Sequence, residues 1–328
     1  MKHCRICKGN FKSELQVKEM MFGSGKEFTY QQCEHCGCLQ IKQYPEDISG
    51  FYSDQYYSLQ PLEFSRRSRF KQFIRRQFTK YYLYGLNPLG YVMFKLLKWP
   101  APFYIKWFQE AGVNLKSRIL DAGCGAGYLL LSMYKDGFRH LAGADPFINE
   151  EITYDRNLII YKKSLEEMHG KFDFIMMNHS FEHMQEQEMI LRQVYRLLRP
   201  NSYLMIRIPV ADSYAFRAYG ANWVQLDAPR HFYLHTVKSI NILAEKTGFI
   251  VKKIDYDSNE FQFWGSEQYI RNIALRSEKS FAVNPEMSIF TQDELQAYKA
   301  KALVLNKKQE GDSACFYLYK KDNNDRRH

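Results

Sequence analysis

Long apolar runs are missing from this chain of 328 residues. No run approaches the roughly 18 residues that a helix needs to cross a bilayer, so a membrane span is not expected. The N-terminal sequence MKHCRICKGN lacks the apolar stretch of a secretory signal, and this predicts a cytoplasmic protein. In that reducing compartment the seven cysteines are expected to be free or metal-bound rather than paired in disulfides.

Acidic residues are absent from Phe64 to Gln109, although this segment carries ten basic residues. Ten equals the formal net charge of the whole chain, so any attraction for an anionic partner is expected to lie largely in residues 64–109. The ten basic residues are Arg66, Arg67, Arg69, Lys71, Arg75, Arg76, Lys80, Lys95, Lys98 and Lys106.

The sequence predicts three regions. Residues 1–43 hold five of the seven cysteines. Residues 44–112 combine a tyrosine-rich turn region with a basic, aromatic connector that is compatible with helices and is interrupted at LNPLG and WPAP. In residues 113–328, strand patterns alternate with helix patterns, which predicts an α/β fold with a parallel sheet flanked by helices.

The boundaries of these elements follow from the alternation. Strands are predicted at 117–123, 140–146, 158–164, 172–178, 202–209, 249–256 and 314–320. Helices are predicted at 128–135, at about 187–198 and at 236–246, where Thr236 is a plausible N-cap and Gly248 follows the end. A helical insertion is predicted at about 265–308.

Three glycines follow the first predicted strand of this region. Gly123, Gly125 and Gly127 are spaced G-x-G-x-G, and a backbone without Cβ atoms can approach a ligand closely. The dinucleotide fingerprint G-x-G-x-x-G would need its third glycine at position 128, which is Tyr128. Asp121, just before the glycines, suits a cofactor with a cationic amine better than a pyrophosphate.

S-adenosylmethionine brings such an amine together with a sulfonium and an adenosine. Asp145 ends the second strand, where a carboxylate can accept hydrogen bonds from ribose hydroxyls. Ser164 and Leu165 follow the third strand, where the adenine edge is expected. The predicted cofactor-binding residues are Asp121, Gly123, Cys124, Gly125, Gly127, Asp145, Pro146, Ser164, Leu165 and Asn178.

Residues 113–320 resemble a Rossmann-like, class I S-adenosylmethionine-dependent methyltransferase. The motifs that carry the resemblance are ILDAGCGAGYLL, LAGADP, FDFIMMNHSFEHM and VYRLLRPNSYLMIRIP, in this order. The resemblance implies a seven-stranded sheet whose last strand is antiparallel, and methyl transfer as the activity.

The N-terminal cysteines form two C-x-x-C pairs. Cys4 and Cys7 form the first pair, and Cys33 and Cys36 form the second. Two such pairs suit tetrahedral zinc, which predicts a zinc ribbon with a structural zinc ion and Cys38 as a substitute ligand. A zinc ribbon joined to such a methyltransferase is similar to bacterial enzymes of sugar and secondary-product biosynthesis. The His-Tyr-Glu signature of deoxysugar C-methyltransferases is not found, which disfavours methylation at carbon.

Methyl transfer needs an aligned nucleophile, and a hydroxyl acceptor also needs a general base, for which histidine is suited near neutral pH. Two histidine-bearing segments, NHSFEHM and DAPRHFYLHT, follow strands at the edge of the sheet where ligands bind. The spacing does not fit H-E-x-x-H, so a catalytic metal is not expected. The candidate catalytic residues are His231, His183, Glu182 and His179, and the choice among them stays open.

These observations predict transfer of a methyl group to oxygen or nitrogen of a small-molecule or carbohydrate intermediate. One alternative is an RNA methyltransferase that holds RNA with the basic segment and the zinc module. The chain lacks the Asn/Asp-Pro-Pro-aromatic pattern of base N-methylation. Another alternative is a non-enzymatic zinc-ribbon interaction protein that retains a cofactor fold.

The basic segment, residues 64–109, has three interpretations. It is a packing helix with a basic solvated face, an interfacial helix on anionic lipid at the inner membrane face, or a contact for a phosphorylated substrate.

Overall fold

The computed structural model describes residues 2–52, 59–60, 69–85 and 87–322. Residues 53–58 of the tyrosine-rich stretch and the basic residues Arg66 and Arg67 lie outside the described residues. The chain groups into two compact units: unit 1 is Met1–Ser53, Phe181–Glu188 and Arg207–Phe316, and unit 2 is Asp54–Ser180, Met189–Ile206 and Tyr317–His328. No helix within the described ranges is long and apolar enough to cross a bilayer.

The elements are numbered in chain order. The strands are β1 Phe11–Lys18, β2 Glu27–Cys33, β3 Leu39–Ile41, β4 Ile119–Ala122, β5 Leu141–Ala144, β6 Ile152–Asp155, β7 Leu158–Tyr161, β8 Phe172–Asn178, β9 Leu198–Pro209, β10 Tyr233–Leu234, β11 Ile250–Tyr256 and β12 Ser313–Lys320. The helices are α1 Arg69–Tyr84, α2 Pro88–Leu97, α3 Ile105–Glu110, α4 Tyr128–Lys135, α5 Gln187–Leu197, α6 Tyr214–Tyr219, α7 Val237–Thr247, α8 Phe261–Ile270 and α9 Gln292–Lys307.

Unit 1 contains a small sheet with the order β1-β2-β3-β10. The strands β1 and β2 form an antiparallel hairpin, β3 pairs antiparallel with β2, and β10 pairs antiparallel with β3 through Tyr233 and Gln40. The cysteine-bearing N-terminal residues therefore share a sheet with the segment DAPRHFYLHT, which is almost 200 positions later in the chain.

The larger sheet has eight strands in the order β11-β12-β9-β8-β4-β5-β7-β6, and β9 and β12 contribute residues to both units. The strand β4 pairs parallel with β5 and β8, and β5 pairs parallel with β7. The edge strand β6 pairs antiparallel with β7. This mostly parallel sheet with flanking helices confirms the predicted Rossmann-like α/β class.

The sheet has one strand more than the seven expected, because β6 and β7 form a hairpin. The turn at its tip is held by Asp155, whose Oδ1 accepts hydrogen bonds from the N–H and the side-chain amide of Asn157, both at 3.2 Å. The prediction missed β6 because this strand has only four residues, in which apolar and polar side chains alternate, and so short a pattern does not stand out from a loop.

Other local predictions are confirmed. The strand β8 and the helix α4 have the predicted bounds, and α7 begins after Thr236 and ends at Gly248. The predicted helical insertion is wrong for 271–291, where the structure has turns and a short 3-10 turn at Pro285–Met287. Pro285 disfavours a helical conformation at Asn284 and cannot donate a helix hydrogen bond itself, so a continuous helix is interrupted at this point.

Candidate functional site

The loop between β4 and α4 carries the three glycines of the sequence motif. The φ angles of Gly123, Gly125 and Gly127 are 75°, 55° and 81°, in the left-handed region that glycine adopts without strain. The N–H of Gly123 donates to the carbonyl of Ala144 at 2.8 Å, which ties the start of the loop to the end of β5. The loop is therefore a stretch of bare backbone at the carboxyl end of β4.

Two glycines in or next to this loop have no room for a side chain, because other residues of unit 2 pack against them. A Cβ atom on Gly127 would lie 2.5 Å from Cδ1 of Ile160 in β7, so this glycine is needed for close packing of α4 on the sheet. A Cβ atom on Gly143 would lie 2.4 Å from Sγ of Cys124. The side chain of Cys124 thus packs toward β5, and its backbone is the part it can offer a ligand.

Two buried carboxylates flank the loop. Asp121 and Asp145 are 3% and 6% exposed. Burial, and then the neighbouring Asp145, raise the pKa of Asp121 to about 8. Burial also raises the pKa of Asp145, although its two oxygens accept hydrogen bonds from the N–H groups of Gly125 at 2.8 Å and Phe147 at 2.9 Å. A cationic ligand group would stabilise the charged form of Asp121.

The other predicted cofactor residues of unit 2 differ in burial. Asn178 is half-buried at the end of β8, Leu165 is buried and Pro146 is exposed. Ser164 donates from its N–H and its hydroxyl to Glu167 at 2.8 and 3.0 Å, so its side chain stabilises its own turn. Unit 2 thus offers two carboxylates, which can accept hydrogen bonds, beside a backbone without side chains. This arrangement fits a cofactor that has an amine and a ribose.

A cluster of histidine and carboxylate side chains lies in unit 1. Glu182 and His183 are on a short 3-10 turn, Phe181–His183, and His231 is in the segment before β10. One ligand-type atom from each of the three lies within 4.8 Å of the others. The Nε2 atom of His231 is 3.9 Å from Oε1 of Glu182 and 3.8 Å from Oδ2 of Asp227. We call these four residues the histidine cluster.

The backbone orients both rings of the histidine cluster. Nδ1 of His231 lies 2.7 Å from the carbonyl oxygen of Gln225, and Nδ1 of His183 lies 2.9 Å from that of Arg230. Because a carbonyl can only accept, each Nδ1 carries the proton and each Nε2 has a free lone pair in the neutral ring. Burial, and then His231, lower the pKa of His183 to about 4, so His183 is neutral near pH 7.

The guanidinium of Arg230 holds the carboxylates around this cluster. Its Nη2 lies 2.5 Å from Oδ1 of Asp227 and 3.1 Å from Oε1 of Glu19, and its Nη1 donates to the carbonyl of Phe51 at 3.0 Å. The side chain of Arg230 is fully buried. Although burial alone would raise the pKa of Asp227, Arg230 lowers it below its ordinary value.

The N-terminal sheet positions His231. The hydroxyl of Tyr30, at the centre of β2, donates to the carbonyl of His231 at 2.8 Å. The N–H of Phe232 donates to the carbonyl of Glu182 at 2.9 Å, which joins the two segments of the histidine cluster. Glu19, the residue that follows β1, completes this support by pairing with Arg230.

Two histidines of the same motifs lie elsewhere. His179 belongs to unit 2 and has a φ of 51°, so it does not extend the turn that carries Glu182 and His183. His235 is fully buried, with Nε2 2.9 Å from Oε1 of Gln187 and Nδ1 2.9 Å from the hydroxyl of Ser239. His235 is thus a satisfied core residue, and the assignment of His179 as catalytic stays a prediction.

The four predicted zinc ligands come together in unit 1. The Sγ atoms of Cys4, Cys7, Cys33 and Cys36 lie within 4.8 Å of one another, with Cys4–Cys36 at 3.7 Å and Cys7–Cys33 at 3.4 Å. A tetrahedral zinc ion with bonds of about 2.3 Å needs sulfur–sulfur separations of roughly 3.8 Å. Cys38 lies outside this set, since its Sγ faces the carbonyl of Leu39 at 3.7 Å.

Backbone groups support these thiolates. The N–H groups of Ile6, Gly9 and Cys36 each donate to a cysteine sulfur at 3.4 Å. The contact with Cys36, together with backbone and Gln40 hydrogen bonds, lowers the pKa of Cys4 to about 4 in spite of burial. The donor set therefore fits zinc.

Comparison with known proteins supports the assignment of the fold. Residues 97–254 match the family described as "Methyltransferase domain", Methyltransf_23. A ubiquinone biosynthesis O-methyltransferase from Pseudomonas aeruginosa is 27% identical over 152 residues, which cover 42% of this chain and 64% of that relative.

Solved structures are similar at lower identity. A Burkholderia thailandensis 1,6-didemethyltoxoflavin-N1-methyltransferase with S-adenosylhomocysteine is 14% identical, with a TM-score of 0.37 over 80% of this chain and 94% of that one. A mycolic acid cyclopropane synthase with S-adenosylhomocysteine is 13% identical, with a TM-score of 0.42 over 78% and 99%. Residues 97–254 thus match a methyltransferase domain, and the sequence motifs and the sheet order agree with the class I S-adenosylmethionine-dependent type.

Proposed function

We propose that this protein transfers a methyl group from S-adenosylmethionine to an oxygen or nitrogen atom of a small-molecule or carbohydrate intermediate. The observation that carries the proposal is the histidine cluster of unit 1, which accompanies a methyltransferase domain and offers a lone pair on Nε2 of His231. The glycine loop and its two acids provide the cofactor side.

The glycine loop region has the groups that the cofactor requires. Asp121 would hold the amine of the methionine part, and Asp145 would accept hydrogen bonds from the ribose hydroxyls. The bound cofactor supplies an electrophilic methyl group on its sulfonium. The glycine-lined backbone of residues 123–127, which is buried at 125–127, would let the cofactor lie close to the end of β4.

His231 is the histidine that we assign as the general base. Its Nδ1–H donates to Gln225, so its Nε2 can take a proton from an acceptor hydroxyl or amine. Glu182 and Asp227, both within 4 Å of Nε2, would stabilise the imidazolium that forms. His183, whose pKa is lowered to about 4, is too weak a base at neutral pH and instead packs edge-on against the His231 ring at 4.7 Å.

Oxygen is the acceptor atom that the relatives favour. The Pseudomonas aeruginosa relative is named an O-methyltransferase of ubiquinone biosynthesis. A hydroxyl acceptor also explains the need for a base, since a neutral hydroxyl is a poor nucleophile until its proton is removed.

We also propose a structural zinc ion on Cys4, Cys7, Cys33 and Cys36. The ion would fix the ends of β2 and β3, and through β3 it would fix β10 and the segment that carries His231. Zinc in this place supports the site and has no part in the chemistry.

The test is a search for the acceptor with a labelled cofactor. Purified protein and S-adenosylmethionine carrying a labelled methyl group are incubated with small-molecule and RNA fractions of a cell extract. We expect label in the small-molecule fraction, and label in RNA would favour the RNA alternative and contradict the proposal.

The variant His231→Asn then tests the base. Asparagine keeps a donor for the carbonyl of Gln225 but has no basic nitrogen, so turnover is expected to fall about 10³-fold with binding of S-adenosylhomocysteine unchanged. The control is His169→Gln, a change at an exposed histidine. Unchanged turnover in His231→Asn would contradict the role of His231, and absence of any labelled product would favour the non-enzymatic alternative.

A further inference from the structure

The helical connector exposes large apolar side chains at a much higher density than the rest of the described chain. Of the 21 large apolar side chains that are exposed among the described residues, ten fall between Phe70 and Phe103. This is a stretch of about a tenth of the chain, so the exposure is concentrated and not scattered. A concentrated exposed apolar patch marks an interaction surface.

The helix α2 has two apolar faces, and one of them is already used. On the inner face Phe94 stacks on Tyr81 of α1 at 5.5 Å, and a Cβ atom on Gly90 would lie 2.4 Å from the carbonyl of Gln77. The outer face carries Leu89, Val92 and Leu96, at helical spacing i, i+3, i+7. These three side chains are 46%, 51% and 76% exposed.

The charged residues near this outer face in the sequence are basic. The segment from Phe64 to Gln109 contains no Asp or Glu. Lys95, on α2, and Lys98, just after it, are exposed. Arg75 is different, because it turns inward and pairs with Asp136 at 2.5 Å. The surface therefore combines exposed aliphatic side chains with exposed lysines in a segment that has no acidic residue.

We propose that this connector surface, centred on Leu89, Val92 and Leu96, docks on a bilayer that contains anionic phospholipid. The aliphatic stripe would enter the boundary between headgroups and acyl chains, and the lysines would contact the phosphates. Trp99, which is 46% exposed just after α2, is a residue type that favours this boundary.

The alternatives fit the surface less well. RNA binding uses aromatic platforms for base stacking, and six of the ten exposed side chains are aromatic, but the stripe of Leu89, Val92 and Leu96 at the centre of the surface is aliphatic and offers no such platform. A second copy of the chain would bring the same positive charge against this surface, and like charges oppose such a contact. An anionic bilayer satisfies both the apolar and the charged parts.

Vesicle binding tests the proposal with the full-length protein. The protein is sedimented with vesicles of phosphatidylcholine alone or with 30% phosphatidylglycerol. We expect strong binding to the anionic vesicles and at least tenfold weaker binding to the neutral ones. In the double variant Val92→Gln/Leu96→Gln, binding to anionic vesicles is expected to fall at least tenfold. In Lys95→Glu it is expected to fall roughly tenfold.

Matched controls lie on α9, where Leu303 and Val304 are 58% and 50% exposed. The variants Leu303→Gln/Val304→Gln and Lys299→Glu should bind vesicles like the wild type. Circular dichroism reports that each variant is folded. This result is independent of the methyl acceptor, so failure of the proposed function would leave it unaffected.

Three outcomes would overturn the proposal. The first is no binding to anionic vesicles by the wild type. The second is vesicle binding that single-stranded RNA competes away and that Val92→Gln/Leu96→Gln does not change. The third is a wild-type dimer that this double variant converts to a monomer, which would identify a second copy as the occupant.

Discussion

The glycine loop of unit 2 and the histidine cluster of unit 1 both contain buried carboxylates, but their charges are balanced differently. Around Asp121, burial and Asp145 both act to raise the pKa, to about 8. Around Asp227, burial acts in the same direction, but Arg230 outweighs it and lowers the pKa. The carboxylate of Asp227 therefore has a cationic partner in Arg230, whereas no cation contributes to the pKa shifts of Asp121 and Asp145.

This difference indicates what each place is built to receive. Acids that are buried without a cation cost stability, and a ligand that brings a positive charge relieves that cost. The glycine loop is thus matched to a cationic ligand such as the amine of S-adenosylmethionine. Arg230 offsets part of the negative charge around the histidine cluster, so this place is matched to an acceptor that gives up a proton to His231.

Removal of zinc is expected to separate the two regions most strongly, because it should affect unit 1 and not cofactor binding to unit 2. Cys36→Ser should reduce bound zinc from one ion per chain to none and lower the stability of unit 1 by several kcal/mol. Methyl transfer should be lost, while binding of S-adenosylhomocysteine to unit 2 persists. Metal analysis and calorimetry measure these effects, and Cys38→Ser is the control that should keep its zinc. Full zinc content in Cys36→Ser would refute the assigned ligand set.

Replacement of Arg230 tests whether the histidine cluster depends on its internal cation. Arg230→Met leaves the carboxylates of Glu19 and Asp227 buried without their partner, and the free energy of unfolding should fall by about 3–5 kcal/mol. Denaturant unfolding measures this loss. The control is Arg217→Met, which breaks the exposed Arg217–Glu310 pair and should cost less than about 1 kcal/mol. An equal loss of unfolding free energy in the two variants would show that the histidine cluster does not depend on Arg230 as its cation.

Replacement of Asp121 tests the other region. Asp121→Asn should weaken binding of S-adenosylhomocysteine about 100-fold, because the cationic amine loses its charged partner. The pKa of Asp121 is raised above its unfolded value, so its ionisation destabilises the unliganded fold as pH rises from about 4 to 8.

The variant should therefore melt at a higher temperature than the wild type at pH 8 when no ligand is present. Thermal unfolding and titration calorimetry measure the two effects. Asp173→Asn, at a partly exposed position paired with Arg199, is the control. A variant that binds normally and melts at a lower temperature would show that Asp121 has only a structural role.

The predictions from sequence succeeded where the signal is local. The apolar run FDFIMMN gives β8 its full length, and the cap residues Thr236 and Gly248 give the ends of α7. Within each C-x-x-C pair the spacing alone brings two cysteines together, and the four sulfur atoms lie within 4.8 Å of one another, while zinc binding there stays a prediction.

The supports of the histidine cluster were missed because they join distant positions. Arg230 and Glu19 are 211 residues apart, and Tyr30 and His231 are 201 apart, so no spacing in the sequence relates them. Asp227 was missed for another reason, since a lone aspartate before Pro229 reads as a turn residue. Strand pairing between β3 and β10, which brings these positions together, depends on tertiary structure.

The proton balance of cofactor binding tests the central claim most directly. S-adenosylhomocysteine is titrated into the protein at pH 7 in buffers of different ionisation enthalpy. We predict tight binding with release of about one proton, since Asp121 is protonated in the free protein and ionised beside the bound amine, and no release in Asp121→Asn. Absence of binding, or binding to the wild type without proton release, would contradict the account.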